Sequence, residues 1–127
     1  ILRTTYPDHA IVAEESGETK NNDESVWIID PLDGTTNFIH GFPHYAISIA
    51  FQYRGKIEHG VIYDPIRDEM FSASRGRGAK LNNTRIRVSE CNRLEQGLVG
   101  TGFPVKYHEE HELHLRLFSK IFPKTAG

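Results

Sequence analysis

The chain has 127 residues, with 15 Lys and Arg against 17 Asp and Glu, which gives a formal net charge of −2. This near balance argues against direct nucleic-acid binding, so any anion site must be local. The single cysteine excludes an internal disulfide framework, and no apolar run approaches the roughly 20 residues that a membrane helix needs. We therefore expect a folded cytoplasmic protein without direct nucleic-acid or membrane contacts.

The N-terminal part predicts a short helix and one strand. Residues 1–7 read as the tail of a helix that Pro7 ends, and residues 11–13 form a β-branched run. Glu14 and the next acid follow that run, and the polar residues 18–25 predict a solvated loop. Both chain ends read as cut, so we expect residues 1–127 to be a single partial domain.

The central stretch, residues 27–38, is an apolar run that ends in two acids. Trp27 to Ile29 favour a buried strand, and Pro31 cannot donate to a sheet, so the strand is predicted to end at Asp30. Gly34-Thr35-Thr36 would then offer backbone N–H groups to a phosphate oxygen in the first turn of a short helix.

Two carboxylates that face a phosphate require a cation between them. Asp30 and Asp33 would otherwise repel the anion, and hard oxygen ligands of this kind suit Mg²⁺. The Leu32 carbonyl is a further candidate ligand, and Glu14 joins the site if the two strands are neighbours. By itself, however, Asp30-x-x-Asp33-Gly34 is equally consistent with an ordinary turn.

The remainder of the chain predicts an antiparallel meander and a C-terminal helix. Apolar alternation and turn residues delimit the strands, with Asn82-Asn83 at a hairpin tip. The predicted strands cover residues 45–53, 57–63, 69–74 and 97–102, and the predicted helix covers residues 107–122. The fold class is therefore mixed α/β, with helices packed on a largely antiparallel sheet.

The sequence from Trp27 to Phe38, WIIDPLDGTTNF, resembles the first signature of the inositol monophosphatase family. The sequence EESG from Glu14 to Gly17 resembles the family's upstream metal motif, and residues 60–65 with 76–79 resemble the meander that follows it. The resemblance implies the N-terminal half of a layered αβαβα sandwich, and relatives of this family are usually homodimers.

The resemblance also implies roles for individual residues. It assigns a first Mg²⁺ to Glu14, Asp30 and the Leu32 carbonyl, and a second to Asp30 and Asp33. Glu14 and Thr35 would orient the attacking water, so Glu14, Asp33 and Thr35 form the expected catalytic set. The substrate phosphate is expected at Glu14, Leu32, Asp33, Gly34 and Thr35.

The implied activity is Mg²⁺-dependent hydrolysis of inositol monophosphate by a metal-activated water. The family's downstream Glu and Trp-Asp motif, which complete its site, are not found in this sequence. Two alternatives therefore stay open: hydrolysis of another small sugar or nucleotide phosphate, and a protein-interaction role in transcription antitermination complexes, whose proteins would be the partners. The isolated segment is predicted to have little or no turnover.

Overall fold

The computed structural model describes residues 1–14, 24–102 and 111–127, and the backbone of residues 17–19. The chain divides into two compact units, Ile1–Arg87 and Val88–Gly127. Within the described residues, no helix combines the length and the apolar character that crossing a membrane would demand.

The first unit is built on one eight-stranded sheet, in the strand order β2-β1-β3-β4-β5-β6-β7-β8. β1 runs parallel to β3, and every other neighbouring pair is antiparallel. The mixed α/β class with a largely antiparallel sheet is thus confirmed. The strands are β1 Ala10–Ala13, β2 Gly17–Thr19, β3 Ser25–Asp33, β4 Ala46–Tyr53, β5 Lys56–Asp64, β6 Glu69–Ser74, β7 Gly78–Leu81 and β8 Thr84–Ile86, and the helices are α1 Leu2–Thr5 and α2 Thr35–Ile39.

The predicted end of β3 at Asp30 is wrong, because the strand continues to Asp33. Asp30 pairs with Ser48 and Asp33 pairs with Ala46, so three steps along β3 match only two along β4. β3 therefore contains a bulge, which is a position where a sheet tolerates a proline that cannot donate a hydrogen bond. The acids lie within an interrupted strand rather than after its end.

The turns of the meander follow the sequence closely. Arg54 and Gly55 between β4 and β5 have φ values of 49° and 74°, and Asn82 and Asn83 at the β7–β8 tip have 45° and 69°. Paired left-handed residues match the right-handed twist of a tight hairpin, and asparagine tolerates them best among residues that carry a side chain. The predicted loop at residues 18–25 is wrong at both ends, since β2 reaches Thr19 and β3 begins at Ser25.

The second unit contains the amphipathic helix α3, His111–Ile121, followed by a 3₁₀ turn, Phe122–Lys124. The residues that were predicted to begin this helix at 107 lie outside the described residues. The strand predicted at residues 97–102 is wrong. Its backbone instead exchanges bonds with the chain end, where Val99 N–H donates to the Gly127 carbonyl and Ala126 N–H donates to the Gly97 carbonyl, each at 3.0 Å.

Within the first unit, the described residues outside the sheet cover little of either of its faces. Among the residues whose side chains are described, the buried hydrophobic ones are Ala10 and Val26, which are register partners on β1 and β3. Apolar side chains of the meander stay much more open, with Ile62 49% and Phe71 37% exposed. A sheet normally buries at least one face under a second layer, so this sheet presents surface that suits further packing.

One aromatic cluster ties the N-terminal segment to the sheet. The Trp27 indole N–H donates to His9 Nδ1 at 3.1 Å, so Nδ1 is the unprotonated nitrogen of that ring. The His9 ring stacks on Tyr6 at 4.9 Å and on Phe51 at 5.5 Å, and Trp27 lies 4.9 Å from Phe51. Aromatic pairs of this kind stabilise a fold by more than the burial of their ring area alone.

Replacing His9 tests whether this cluster holds the N-terminal segment. His9→Phe keeps a stacking ring but leaves the partly buried Trp27 N–H without its acceptor, which should cost about 1–3 kcal/mol of unfolding free energy. Chemical denaturation measures the loss. The double variant His9→Phe/Trp27→Phe should recover part of it, and an unchanged stability of His9→Phe would contradict this view of the cluster.

Candidate active site

The first acid, Glu14, is placed beside β3 by the parallel pairing of β1. Ala13 is the register partner of Ile29, and Glu14 N–H donates to the Ile29 carbonyl at 3.4 Å. Glu14 and Asp30 are the next residues after this pair on two parallel neighbouring strands, so the register places them side by side. Glu15 and Ser16 of the same motif lie outside the described residues.

Two hydrogen bonds link Asp30, Leu32 and Thr35 across the bulge. The Leu32 N–H donates to Asp30 Oδ1 at 3.0 Å, and the Thr35 hydroxyl donates to the Leu32 carbonyl at 2.9 Å. The first bond closes a tight turn of the type that aspartate side chains favour. Together the two bonds fix one carboxylate, one carbonyl and one hydroxyl relative to each other.

This arrangement has a direct chemical consequence for both oxygens. A carbonyl oxygen has two lone pairs, so the Leu32 oxygen that accepts from Thr35 retains a second position for a cation. The Thr35 hydroxyl uses its one hydrogen in the bond to the Leu32 carbonyl. Its oxygen lone pairs are left to accept a hydrogen bond from a water. The Thr35 hydroxyl is therefore a donor to Leu32 and is left as an acceptor toward a water.

Gly34 makes the turn between the bulge and α2. Its φ is +91°, a left-handed value that glycine adopts without steric cost. A Cβ at this position would lie 2.9 Å from the His44 carbonyl oxygen and 3.2 Å from Tyr45 Cα. The backbone thus approaches the loop after α2 too closely for any side chain.

α2 has only five residues, and its first intrahelical bond runs from Phe38 N–H to the Gly34 carbonyl at 3.0 Å. The N–H groups that precede Phe38 in this turn have no partner within the helix. An anion at this turn would interact with these individual N–H groups, because a helix of five residues has little macrodipole.

Asp33 and the loop after α2 border an open cavity of about 260 Å³, which also reaches Asp64 on β5. Hydrogen bonds from the Arg67 and Ile66 backbones and the Arg67 side chain hold the pKa of Asp64 below its ordinary value. The Asp64 carboxylate therefore makes its hydrogen bonds within the β5–β6 turn. The other acid that borders the cavity, Asp33, is exposed to solvent.

The described residues contain no group of three His, Cys, Asp or Glu side chains gathered closely enough to hold a metal. The oxygen donors at the bulge are instead the Asp30 carboxylate, whose Oδ1 accepts from the Leu32 N–H, and the Leu32 carbonyl, with Glu14 following the neighbouring strand through the sheet register. Carboxylate and carbonyl oxygens are the hard donors that Mg²⁺ prefers, and Mg²⁺ usually keeps several waters and needs few protein ligands. This donor set fits the cation.

Sequence reasoning missed one part of this region, the loop between α2 and β4. The contact of His44 to Gly34 and to Asn37 is made by its backbone carbonyl. No sequence signal marks a carbonyl that becomes important only through the path of a loop.

A family model described as the inositol monophosphatase family matches residues 1–125. The chain belongs to this family. A protein named Nus factor SuhB from Pseudomonas aeruginosa is 52% identical over 131 residues, which cover 99% of this chain and 48% of that protein. The chain thus spans about half the length of the curated relatives it matches.

Solved structures agree with this membership. The extragenic suppressor protein SuhB from Bartonella henselae superposes with a TM-score of 0.93 at 43% identity, over 99% of this chain and 48% of that one. The inositol monophosphatase from Anabaena sp. PCC 7120 gives 0.92 at 41% identity, over 99% and 50%. The family fold expected from the sequence is therefore confirmed for the segment in hand.

Two glycines provide a matched test of the Gly34 turn. Gly34→Ala combines a left-handed strain of about 1–2 kcal/mol with a clash against His44, whereas Gly41→Ala, at φ +69° with open space around it, carries the strain alone. Thermal unfolding should therefore show a larger loss for Gly34→Ala. Equal losses would mean that the close approach of the loop to Gly34 is not tight.

Proposed function

We propose that the protein carrying this chain is a Mg²⁺-dependent phosphomonoesterase whose cation and phosphate sites lie at the β3 bulge. The observation that carries the proposal is the pair of bonds that joins Asp30, Leu32 and Thr35. Family membership supports the phosphatase class. The activity concerns the whole protein, because this chain spans about half of its relatives.

Glu14, Asp30 and the Leu32 carbonyl would hold one cation, and Asp30 with Asp33 would hold a second. Bound Mg²⁺ would supply the positive charge that lowers the pKa of a water and offsets the charge of the phosphate. The chain's own contribution is to keep these oxygens in place through the β1–β3 register and the bulge.

Thr35 and Glu14 would orient the attacking water. The Thr35 oxygen acts as an acceptor because its hydrogen is donated to Leu32, and a Glu14 carboxylate is an acceptor as well. A water that donates to both directs a lone pair away from them. Backbone N–H groups of Gly34 and Thr35 would bind the phosphate oxygens and hold the phosphorus for attack by that water.

Inositol monophosphate is the substrate that we favour. A family protein named SaIMPase-II, 28% identical to this chain with a TM-score of 0.80, has been solved with inositol monophosphate bound. The same protein has also been solved with 2′AMP bound. A small sugar or nucleotide phosphate is therefore the alternative within the same class, and a panel of esters on the whole protein separates them.

The second candidate function is a protein-interaction role in transcription complexes. Its support is the name Nus factor, which several bacterial relatives carry. A cytoplasmic homodimer suits both roles. Asp33→Asn and surface substitutions separate the two roles in a growth assay. If cells with Asp33→Asn grew normally without phosphate release, and cells with surface substitutions did not grow normally, the interaction role would be the physiological one.

Substitutions of Thr35 in the whole protein test the water-orienting role. Thr35→Val keeps the shape and removes the oxygen, so phosphate release should fall about 100-fold, within the range seen when a positioned proton acceptor is lost. Thr35→Ser keeps the hydroxyl and should stay within about tenfold of the original rate. Steady-state phosphate release with Mg²⁺ measures both.

Asp33→Asn is the companion variant, and it should abolish turnover while circular dichroism and thermal unfolding stay near the original. Asp33 is exposed, so its replacement disturbs little packing. Turnover retained in both Asp33→Asn and Thr35→Val would refute the proposed site.

A further inference from the structure

The loop between α2 and β4 folds back on the turn that precedes α2. Asn37 holds this loop through its side-chain amide and its backbone carbonyl. Its side-chain Nδ2 donates to the His44 carbonyl at 2.8 Å, and its backbone carbonyl accepts from Phe42 N–H at 2.8 Å. Asn37 thus closes the loop at two points, and its side chain reaches the end that adjoins β4.

The carbonyl that Asn37 holds is the same one that lies against Gly34. A Cβ on Gly34 would lie 2.9 Å from the His44 oxygen, and the next residue, Tyr45, is nearly as close. Ala46 then pairs with Asp33 on β3. The segment that Asn37 fixes therefore contacts Gly34 and pairs beside it with Asp33.

Ring packing supports the same loop independently of Asn37. Phe38 meets Tyr45 edge to face at 5.1 Å between ring centroids. Phe38 is 51% exposed, so this contact contributes to the stability of the loop without being sealed in a core. The loop is thus held by two separable contacts, one polar and directed at His44, the other apolar.

We propose that Asn37 is a positioning residue that sets the Gly34–Thr35 turn for phosphate binding through the His44 carbonyl. The inference rests on the proposed function, since it concerns the turn to which the phosphate is assigned there. Asn37 touches neither the phosphate nor the cation in this role. Loss of its side-chain donor lets the His44 carbonyl move and with it the N–H groups of the turn.

Asn37→Leu in the whole protein is the test, because leucine is similar in volume, uncharged and unable to donate. The dissociation constant for inorganic phosphate, measured by calorimetry with Mg²⁺ present, should rise about tenfold, as should KM, while kcat changes less. Asn37→Gln retains an amide donor and should recover part of the affinity. Asn37→Ala replaces Asn37→Leu if the latter does not fold.

Phe38→Leu is the matched control, because it weakens the ring contact of the same loop and leaves the Asn37 bond intact. It should lower Tm while the phosphate dissociation constant stays within about twofold of the original. Unchanged phosphate affinity in folded Asn37 variants, or an equal loss in Phe38→Leu, overturns the positioning role alone. A whole protein that hydrolyses no phosphate ester overturns the proposed function and this inference with it.

Discussion

The turn that Asp30 closes on the Leu32 N–H is the constraint on which the candidate site depends. It stabilises the extra residue in β3, and the bulge in turn aims the Leu32 carbonyl at Thr35. Without that extra residue, Asp33 would pair one position further along β4 and every side chain beyond it would point to the other face. The functional groups are thus arranged by one local irregularity in a regular sheet.

The sheet supplies the rest of the site from two directions. The parallel neighbour β1 brings Glu14 to the level of Asp30, and the antiparallel neighbour β4 brings the loop after α2 against Gly34. Parallel pairing within this sheet is confined to β1 and β3, and it is what places Glu14, which follows β1, beside Asp30 within β3. The central strand therefore carries the chemistry, and its neighbours position the groups around it.

Residue types with a strong local preference allowed much of this to be predicted. Asn82-Asn83 turns as expected, because asparagine tolerates left-handed backbone better than other residues that carry a side chain. Pro31 misled, since a missing donor ends a strand or marks a bulge, and pairing with β4 decides which. The strand predicted at residues 97–102 failed for a similar reason, because its backbone partners lie at the chain end. The Asn37–His44 bond depends on the path of a loop and has no sequence signal.

The central claim is that the bulge residues form a cation site, and a binding titration tests it most directly. Mn²⁺ binding to the whole protein, followed by electron paramagnetic resonance, should weaken at least about tenfold in Asp30→Asn, which removes a charged ligand. Asp68→Asn, an acid in the exposed β5–β6 turn that accepts from Tyr63, should leave binding unchanged. Equal Mn²⁺ affinity in the original protein and in Asp30→Asn would contradict the account.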